Sequence, residues 1–183
     1  MDESSKIRVL LVDDHAVVRT GLKTFFDLQD DIEVVGEASD GSEGVAMARR
    51  LEPDVVLMDL LMPNMDGITA ISRIKAERTE TEIVTMTSFI EEEKVTSALE
   101  AGASGYVLKD AEAEEVAAAV RAAYAGEVHL DPAVARLLAQ RMRTKKSPED
   151  GLATCGADGF VRKTFRPSEL FAAIQAAGVT THG

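Results

Sequence analysis

The chain has 183 residues, which suits one ordinary domain with an extension and is short for two full domains. Its apolar share of 45% supports a hydrophobic core, and with aromatic residues at only 4% that core must be aliphatic. The net charge of -12 opposes non-specific binding to nucleic-acid phosphates. A single cysteine, Cys155, excludes an internal disulfide. The polar start "MDESSK" and the lack of a long apolar run predict a cytoplasmic protein without a signal peptide or membrane span.

Short apolar runs alternate with helical patterns along the first two thirds of the chain. Because the runs lack strict alternation, they indicate strands buried on both faces of a parallel sheet. The predicted strands are Ile7–Val12, Ile32–Ala38, Val55–Met58, Ile83–Thr87 and Gly105–Leu108. Between them, apolar residues recur at helical spacing, Asp40 opens a capping box, and Gly102 fits a helix C-terminus. Five strand–helix units in succession predict a doubly wound α/β sheet with right-handed crossovers.

Polar residues stand where four of these strands end. Asp13 and Asp14 follow the first strand, Asp59 the third, Thr87 the fourth and Lys109 the fifth. In doubly wound sheets the ligand site lies beyond the carboxyl ends of the strands. Carboxylate oxygens suit Mg²⁺, which would offset the repulsion between the three aspartates. A carboxylate can also attack phosphorus, with the metal and the lysine ammonium neutralising the phosphoryl oxygens.

Each of these residues also has an ordinary structural explanation. Adjacent aspartates after a strand commonly cap the next helix, Thr87 suits a strand, and a lone Lys109 is usually solvated. The combination on one edge, not any single residue, therefore carries the prediction. His15 is expected to be an exposed residue of the first helical turn.

Four motifs in a fixed order suggest a known family. They are "VLLVDDH", "DVVLMDLLMPNMDG", "TMTSF" and "GASGYVLKD". Over about residues 6–125 the chain resembles a bacterial two-component response regulator receiver domain. The segment "GEVHLDPAVARLL" is also similar to the subfamily usually joined to a LuxR-type helix-turn-helix. The resemblance implies a flavodoxin-like fold with a five-stranded parallel sheet in the order 2-1-3-4-5.

The resemblance also assigns roles at the acidic edge. Asp59 would be the phosphoacceptor, and Lys109 would pair with the phosphoryl group. Asp14, Asp59 and the Leu61 backbone carbonyl would bind Mg²⁺ directly, whereas Asp13 would act through water.

Two further positions would form the switch. Thr87 would be the switch hydroxyl, and Tyr106 matches the aromatic residue that changes rotamer on activation, although a packing role suits Tyr106 equally well. Leu61 and Phe89 correspond to the family positions that flank the phosphoryl group. Because both are apolar and cannot position a hydrolytic water, we expect slow dephosphorylation.

The chain is predicted to comprise three parts: a receiver domain at 1–125, a linker at 126–148 with a helix at about 133–143, and a tail at 149–183. The tail sequence "GADGFVRKTFRPSELFAAIQAA" resembles the receiver's own "GASGYVLKDAEAEEVAAAVRAA", so it looks like the last strand and helix of a second receiver. It could add to the sheet edge beside the fifth strand, exchange with a neighbouring chain, or stay disordered. A natural and an engineered origin both fit.

The leading functional hypothesis is a phosphorylation-controlled switch that receives its phosphoryl group from a sensor histidine kinase. We expect a change in the face formed by the fourth helix, fifth strand and fifth helix to favour a homodimer. The protein is not expected to be a metabolic enzyme, although it should catalyse its own phosphorylation from small phosphodonors. A DNA-binding transcription regulator is the main alternative, but no helix-turn-helix sequence is present, so DNA binding would need an output domain supplied elsewhere. A docking protein that never turns over phosphate is a third hypothesis, disfavoured by the intact acidic pocket.

Overall fold

A computed structural model of the protein describes residues 6–144 and 164–165. The strands are β1 Ile7–Val12, β2 Ile32–Ala38, β3 Val55–Asp59, β4 Glu82–Thr87, β5 Gly105–Leu108, β6 Val128–Leu130 and β7 Thr164–Phe165. The helices are α1 Ala16–Phe26, α2 Gly41–Leu51, α3 Gly67–Glu77, α4 Glu92–Ala101, α5 Ala113–Tyr124 and α6 Pro132–Thr144.

The strands form one sheet in the order β2-β1-β3-β4-β5-β6-β7. The first six strands are parallel, and only β7 runs antiparallel to its neighbour. The doubly wound topology and the order 2-1-3-4-5 are therefore confirmed. The predicted count of five strands is wrong, because β6 adds a sixth parallel strand beside β5. A run of three residues is too short to show a hydrophobic period, so this strand is hidden in the sequence.

Apolar side chains cover both faces of the sheet. One cluster joins the sheet to α2, α3, α4 and α6, and it includes Leu10, Met58 and Tyr106. The other joins it to α1 and α5, and it includes Phe26 and Val107. Consecutive strand residues thus point into different parts of the core, which explains why their sequences are apolar without alternation.

Local signals set the helix ends. The side chain of Asp40 accepts a hydrogen bond from the Glu43 N–H at the start of α2, as the predicted capping box requires. Gly102 ends α4 with φ of 112°, a conformation that glycine adopts without strain. Asp66 caps α3 by accepting from the Thr69 N–H at 3.0 Å. This cap fixes where α3 begins, directly after the loop that follows Asp59.

The segment after α5 extends the sheet and packs against the receiver core. Strand β6 pairs with β5, so that Leu130 lies opposite Tyr106, and the Asp131 N–H donates to the Tyr106 carbonyl at 2.8 Å. Helix α6 then buries Val134 and Leu138 in the cluster that contains the apolar face of α4. The Arg141 guanidinium also donates to the Thr96 hydroxyl of α4 at 2.6 Å. The linker helix predicted at about 133–143 thus forms and packs against α4.

Only Thr164 and Phe165 of the predicted tail belong to the described residues. Their backbones pair with His129 and Val128 at the edge of β6. The place beside β5, one of the positions considered for the tail, is taken by β6. The remaining predicted tail elements and the end of the linker lie outside the described residues. Within 6–144 and 164–165, no helix has both the length and the hydrophobicity that crossing a bilayer requires.

Candidate functional site

The carboxyl ends of β1, β3, β4 and β5 bring the polar residues named from the sequence to one edge. Strand β3 ends with Asp59 and β4 ends with Thr87, while Asp13 follows β1 and Lys109 follows β5. Asp13, Asp59 and Thr87 are each only 1% exposed. Such burial of two carboxylates is costly unless a positive charge compensates it.

Lys109 supplies that charge. Its Nζ lies 2.7 Å from Asp59 Oδ2 and 2.8 Å from Asp13 Oδ2, so one ammonium bridges both buried carboxylates. Burial alone would lower the pKa of Lys109, but its contacts with Asp13 and Asp59 raise the pKa overall. The side chain is therefore a permanent cation at neutral pH, placed between two acids from β1 and β3.

Asp59 is held through both of its carboxylate oxygens. Oδ1 accepts from the Leu61 N–H at 3.1 Å, and Oδ2 accepts from Lys109. Burial raises the pKa of the Asp59 carboxyl, and the bonds from Lys109 and Leu61 reduce this effect without reversing it. The group is thus fixed in position and only partly stabilised as an anion, which suits a carboxylate that gives up its charge on forming a covalent bond.

Asp13, Asp14, His15 and Asp59 form an acidic cluster with one imidazole. Each offers one ligand atom, and the four atoms lie within 4.8 Å of one another. Asp14 is exposed, unlike Asp13, and so faces solvent at the mouth of the cluster. The loop geometry is set by the His15 N–H, which donates to Asp13 Oδ1 at 2.7 Å. His15 is exposed as expected, but its closeness to all three acids was not predicted.

Thr87 ends β4, and Tyr106 lies on the neighbouring strand β5 opposite Thr85, two residues along from Thr87. The Thr87 hydroxyl donates to the Phe89 carbonyl at 3.3 Å, and Phe89 itself is exposed. Tyr106 is fully buried beside the Thr87 side chain, and its hydroxyl makes no hydrogen bond of good geometry with the described residues. Burial raises the pKa of Tyr106 to about 12, so the phenol stays protonated. Thr87 is thus the polar neighbour of this phenol, and core packing rather than a strong hydrogen bond holds the ring in its present rotamer.

The sequence profile of the response regulator receiver domain matches residues 9–121, which include all of these side chains. The chain belongs to this family. Receivers are the responding components of two-component systems, and they are signalling proteins rather than metabolic enzymes. The resemblance stated from the four sequence motifs is confirmed.

Several response regulators are similar to this chain in sequence or in structure. It is 53% identical over 137 residues to the transcriptional regulatory protein LiaR of Bacillus subtilis, covering 75% of this chain and 65% of LiaR. It is 45% identical over 143 residues to the response regulator protein VraR of Staphylococcus epidermidis, covering 78% of this chain and 68% of VraR. A crystal structure of a LuxR-family two-component response regulator from Aurantimonas sp. SI85-9A1 superposes with a TM-score of 0.69 at 35% identity, covering 74% of this chain and 97% of the other. The matched part of the chain thus spans about two thirds of the length of LiaR, 65%.

The acidic cluster fits the Mg²⁺ ion that receivers bind. Ligands on opposite sides of an octahedral Mg²⁺ lie about 4.2 Å apart, so three carboxylates within 4.8 Å need only small movements to share one ion. Asp13 Oδ2 is also buried without a hydrogen bond from the described residues, although the Lys109 ammonium lies beside it. Hard carboxylate oxygens with an open, solvent-facing side are the donor set that Mg²⁺ prefers.

Proposed function

We propose that the protein is a phosphorylation-dependent switch in which Asp59 accepts a phosphoryl group from a sensor histidine kinase. The observation that carries this proposal is the Lys109 ammonium, shared between Asp59 at 2.7 Å and Asp13 at 2.8 Å. It places a fixed positive charge beside a buried carboxylate whose other neighbours are metal-binding acids. Phosphoryl transfer depends on such positioning and charge neutralisation more than on acid–base chemistry.

In the proposed step, a carboxylate oxygen of Asp59 attacks the phosphorus of a phosphohistidine. The O–P bond forms as the N–P bond breaks, and the bonding electron pair leaves with the imidazole nitrogen. The Leu61 N–H and the Lys109 ammonium orient the carboxylate before attack, and Lys109 then faces the phosphoryl oxygens. Asp13, Asp14, Asp59 and the Leu61 carbonyl would hold Mg²⁺, with Asp13 acting through water. When bound, the ion supplies positive charge that neutralises the phosphoryl oxygens.

The switch would follow from competition for the Thr87 hydroxyl. In the present structure it donates to the Phe89 carbonyl. A phosphoryl oxygen on Asp59 is a stronger, charged acceptor, so Thr87 would turn towards it. Tyr106, whose hydroxyl neighbours Thr87, would then lose that contact and change rotamer beside it. The altered face around α4, β5 and α5 would favour a homodimer, to which the tail could contribute by exchange between chains.

The test is phosphorylation of the full chain by acetyl phosphate with Mg²⁺, followed by intact mass and by size-exclusion chromatography with beryllofluoride. We expect one added phosphoryl group and a shift towards a dimer. Asp59→Ala should abolish the added mass, whereas Asp27→Asn, an exposed acid at the end of α1, should keep it. Unchanged phosphorylation of Asp59→Ala would place the acceptor elsewhere and refute the assignment.

A DNA-binding role is the second candidate, and similarity to a protein named as a transcriptional regulator favours it. We propose that any such role needs a helix-turn-helix that this chain's sequence does not show. A gel-shift assay with and without phosphodonor discriminates the two functions. Phosphorylation-dependent retardation of DNA by this chain alone would favour the second.

A further inference from the structure

His15 stands beside the metal-binding acids, and the function proposed above leaves it without a role. We propose that its Nδ1 atom is a ligand of the same site, which makes the receiver bind imidazole-accepting ions such as Ni²⁺ in addition to Mg²⁺. The inference rests on the proposed metal site but concerns its ion selectivity. An oxygen-only set would favour hard ions, whereas an added nitrogen favours the later transition ions.

The imidazole Nδ1 contacts both neighbouring aspartates and lies 3.3 Å from the Lys109 ammonium, and its distances to the aspartates also match the spacing of neighbouring ligands on one ion. Nδ1 lies 2.9 Å from Asp14 Oδ1 and 3.1 Å from Asp13 Oδ1. Two adjacent ligands, each about 2.1 Å from an octahedral ion, are separated by roughly 3.0 Å. The imidazole nitrogen and the Asp14 oxygen are thus spaced to occupy two neighbouring positions, while Asp13 lies close enough to act through water as proposed above. The Asp59 oxygen completes a group in which no two ligand atoms are more than 4.8 Å apart.

The Asp13 carboxylate is buried, and its Oδ2 already pairs with the Lys109 ammonium. Asp13 is 1% exposed, and its Oδ2 has no hydrogen bond among the described residues. The Lys109 ammonium lies 2.8 Å away and balances charge, but it is shared with Asp59. One lone pair of Oδ2 thus faces Lys109, and the second is compatible with a water or cation at the same place.

The backbone holds His15 in place at the cluster. It occupies the N-cap position of α1 with φ of -87°, and its N–H is bound to Asp13 Oδ1 at 2.7 Å. The ring is anchored through its main chain while its side chain remains 63% exposed. An ion can therefore approach from solvent without displacing any part of the core. Replacement of an exposed ring at this position should also leave folding intact.

The experiment compares metal affinities of the full chain by titration calorimetry at one fixed pH. We expect His15→Gln to weaken Ni²⁺ binding by at least about tenfold while Mg²⁺ binding changes by less than about twofold. His182→Gln is the matched control, because it removes a histidine far from these motifs in the sequence, and it should leave both affinities unchanged. Pulsed electron paramagnetic resonance of bound Mn²⁺ should show coupling to an imidazole nitrogen that is lost in His15→Gln.

Three results would overturn the inference: unchanged Ni²⁺ affinity in His15→Gln, equal losses for Ni²⁺ and Mg²⁺, or an equal loss of Ni²⁺ affinity in His182→Gln. The second would mean that His15 only positions the carboxylates. Because binding rather than phosphorylation is measured, the outcome is separate from that of the acetyl phosphate experiment. A receiver that binds Ni²⁺ through His15 yet fails to be phosphorylated would refute the proposed function alone.

Discussion

Lys109→Met tests whether one ammonium holds two buried carboxylates together. Methionine keeps the apolar stem and removes the charge, which leaves Asp13 and Asp59 buried without their common counter-ion. Removing one partner of a buried ion pair typically costs about 3–5 kcal/mol. The Lys109 side chain is 10% exposed, and the cluster opens to solvent beside it, so water can enter the variant. We therefore expect a loss of about 3 kcal/mol in the free energy of unfolding near neutral pH.

The loss of stability in Lys109→Met should depend on pH in a definite direction. The pKa of Lys109 is raised in the folded state, so its stabilising contribution is fully present at neutral pH and is lost only in strongly alkaline solution. The pKa of Asp59 is raised by burial, and removal of the ammonium would raise it further. A group with a raised folded pKa stabilises the protein in its protonated form and loses that contribution as pH rises. The deficit of Lys109→Met should therefore be smaller at about pH 5 than at about pH 8.

Urea unfolding followed by circular dichroism measures these free energies at both pH values, with and without Mg²⁺. An ion bound by the folded state alone should recover part of the loss, since such binding adds stability by mass action. Lys23→Met is the matched control, because Lys23 forms an exposed pair with Asp27 at 3.1 Å and should cost no more than about 0.5 kcal/mol. A loss in Lys109→Met as small as that of the control, or one that does not grow with pH, would refute the bridging role.

Two further predictions concern the loops beside Asp59. Gly67→Ala should destabilise the receiver by up to about 3 kcal/mol, as measured by urea unfolding. A Cβ at this position would clash with the Asp59 carbonyl oxygen and come within 2.7 Å of Leu60 Cα. Both are backbone atoms, which cannot rotate away. Gly21→Ala in α1, where a Cβ meets nothing within 4 Å, should instead stabilise by about 0.5–1 kcal/mol, and equal effects would contradict the clash. Leu61→Asn adds a polar group that can position water, so it should accelerate loss of the phosphoryl group by about tenfold. Intact mass spectrometry measures the half-life of the phosphorylated form. An unchanged half-life would show that Leu61 does not account for slow dephosphorylation.

Most of the sheet could be predicted because its strands are buried on both faces. Such strands leave continuous runs of Val, Ile and Leu, and three of the five predicted strands have the bounds found in the structure. The other two, β3 and β4, are each one residue longer, at Asp59 and Glu82. Strand β6 was not predicted because its three residues are too few to establish a hydrophobic period. Gly126, at φ of 74°, is also a signal of a turn rather than of a strand.

The candidate site could be predicted from the order of the strands rather than from any local sequence pattern. Parallel strands end at the same edge, so Asp59 and Lys109, fifty residues apart in the chain, could be placed together. The sequence could not show that one ammonium bridges two acids, since that depends on side-chain rotamers. The place of His15 was missed for a similar reason: its spacing indicates only a first-turn residue, and its contacts arise from the loop that Asp13 closes.

The hydrogen bond from Asp131 to the Tyr106 carbonyl has a practical consequence for anyone recombining signalling modules. A chimera that joins a foreign effector directly after Tyr124 would strip away β6 and α6, exposing the flank of β5 and the apolar groove that Val134 and Leu138 fill. A cutting point after Thr144, the last residue of α6, keeps both β6 and α6 with the receiver. A fusion made there retains β6, which pairs with the backbone of Tyr106. The attached effector is then connected to β5, the strand that leads to Lys109 in the acidic cluster.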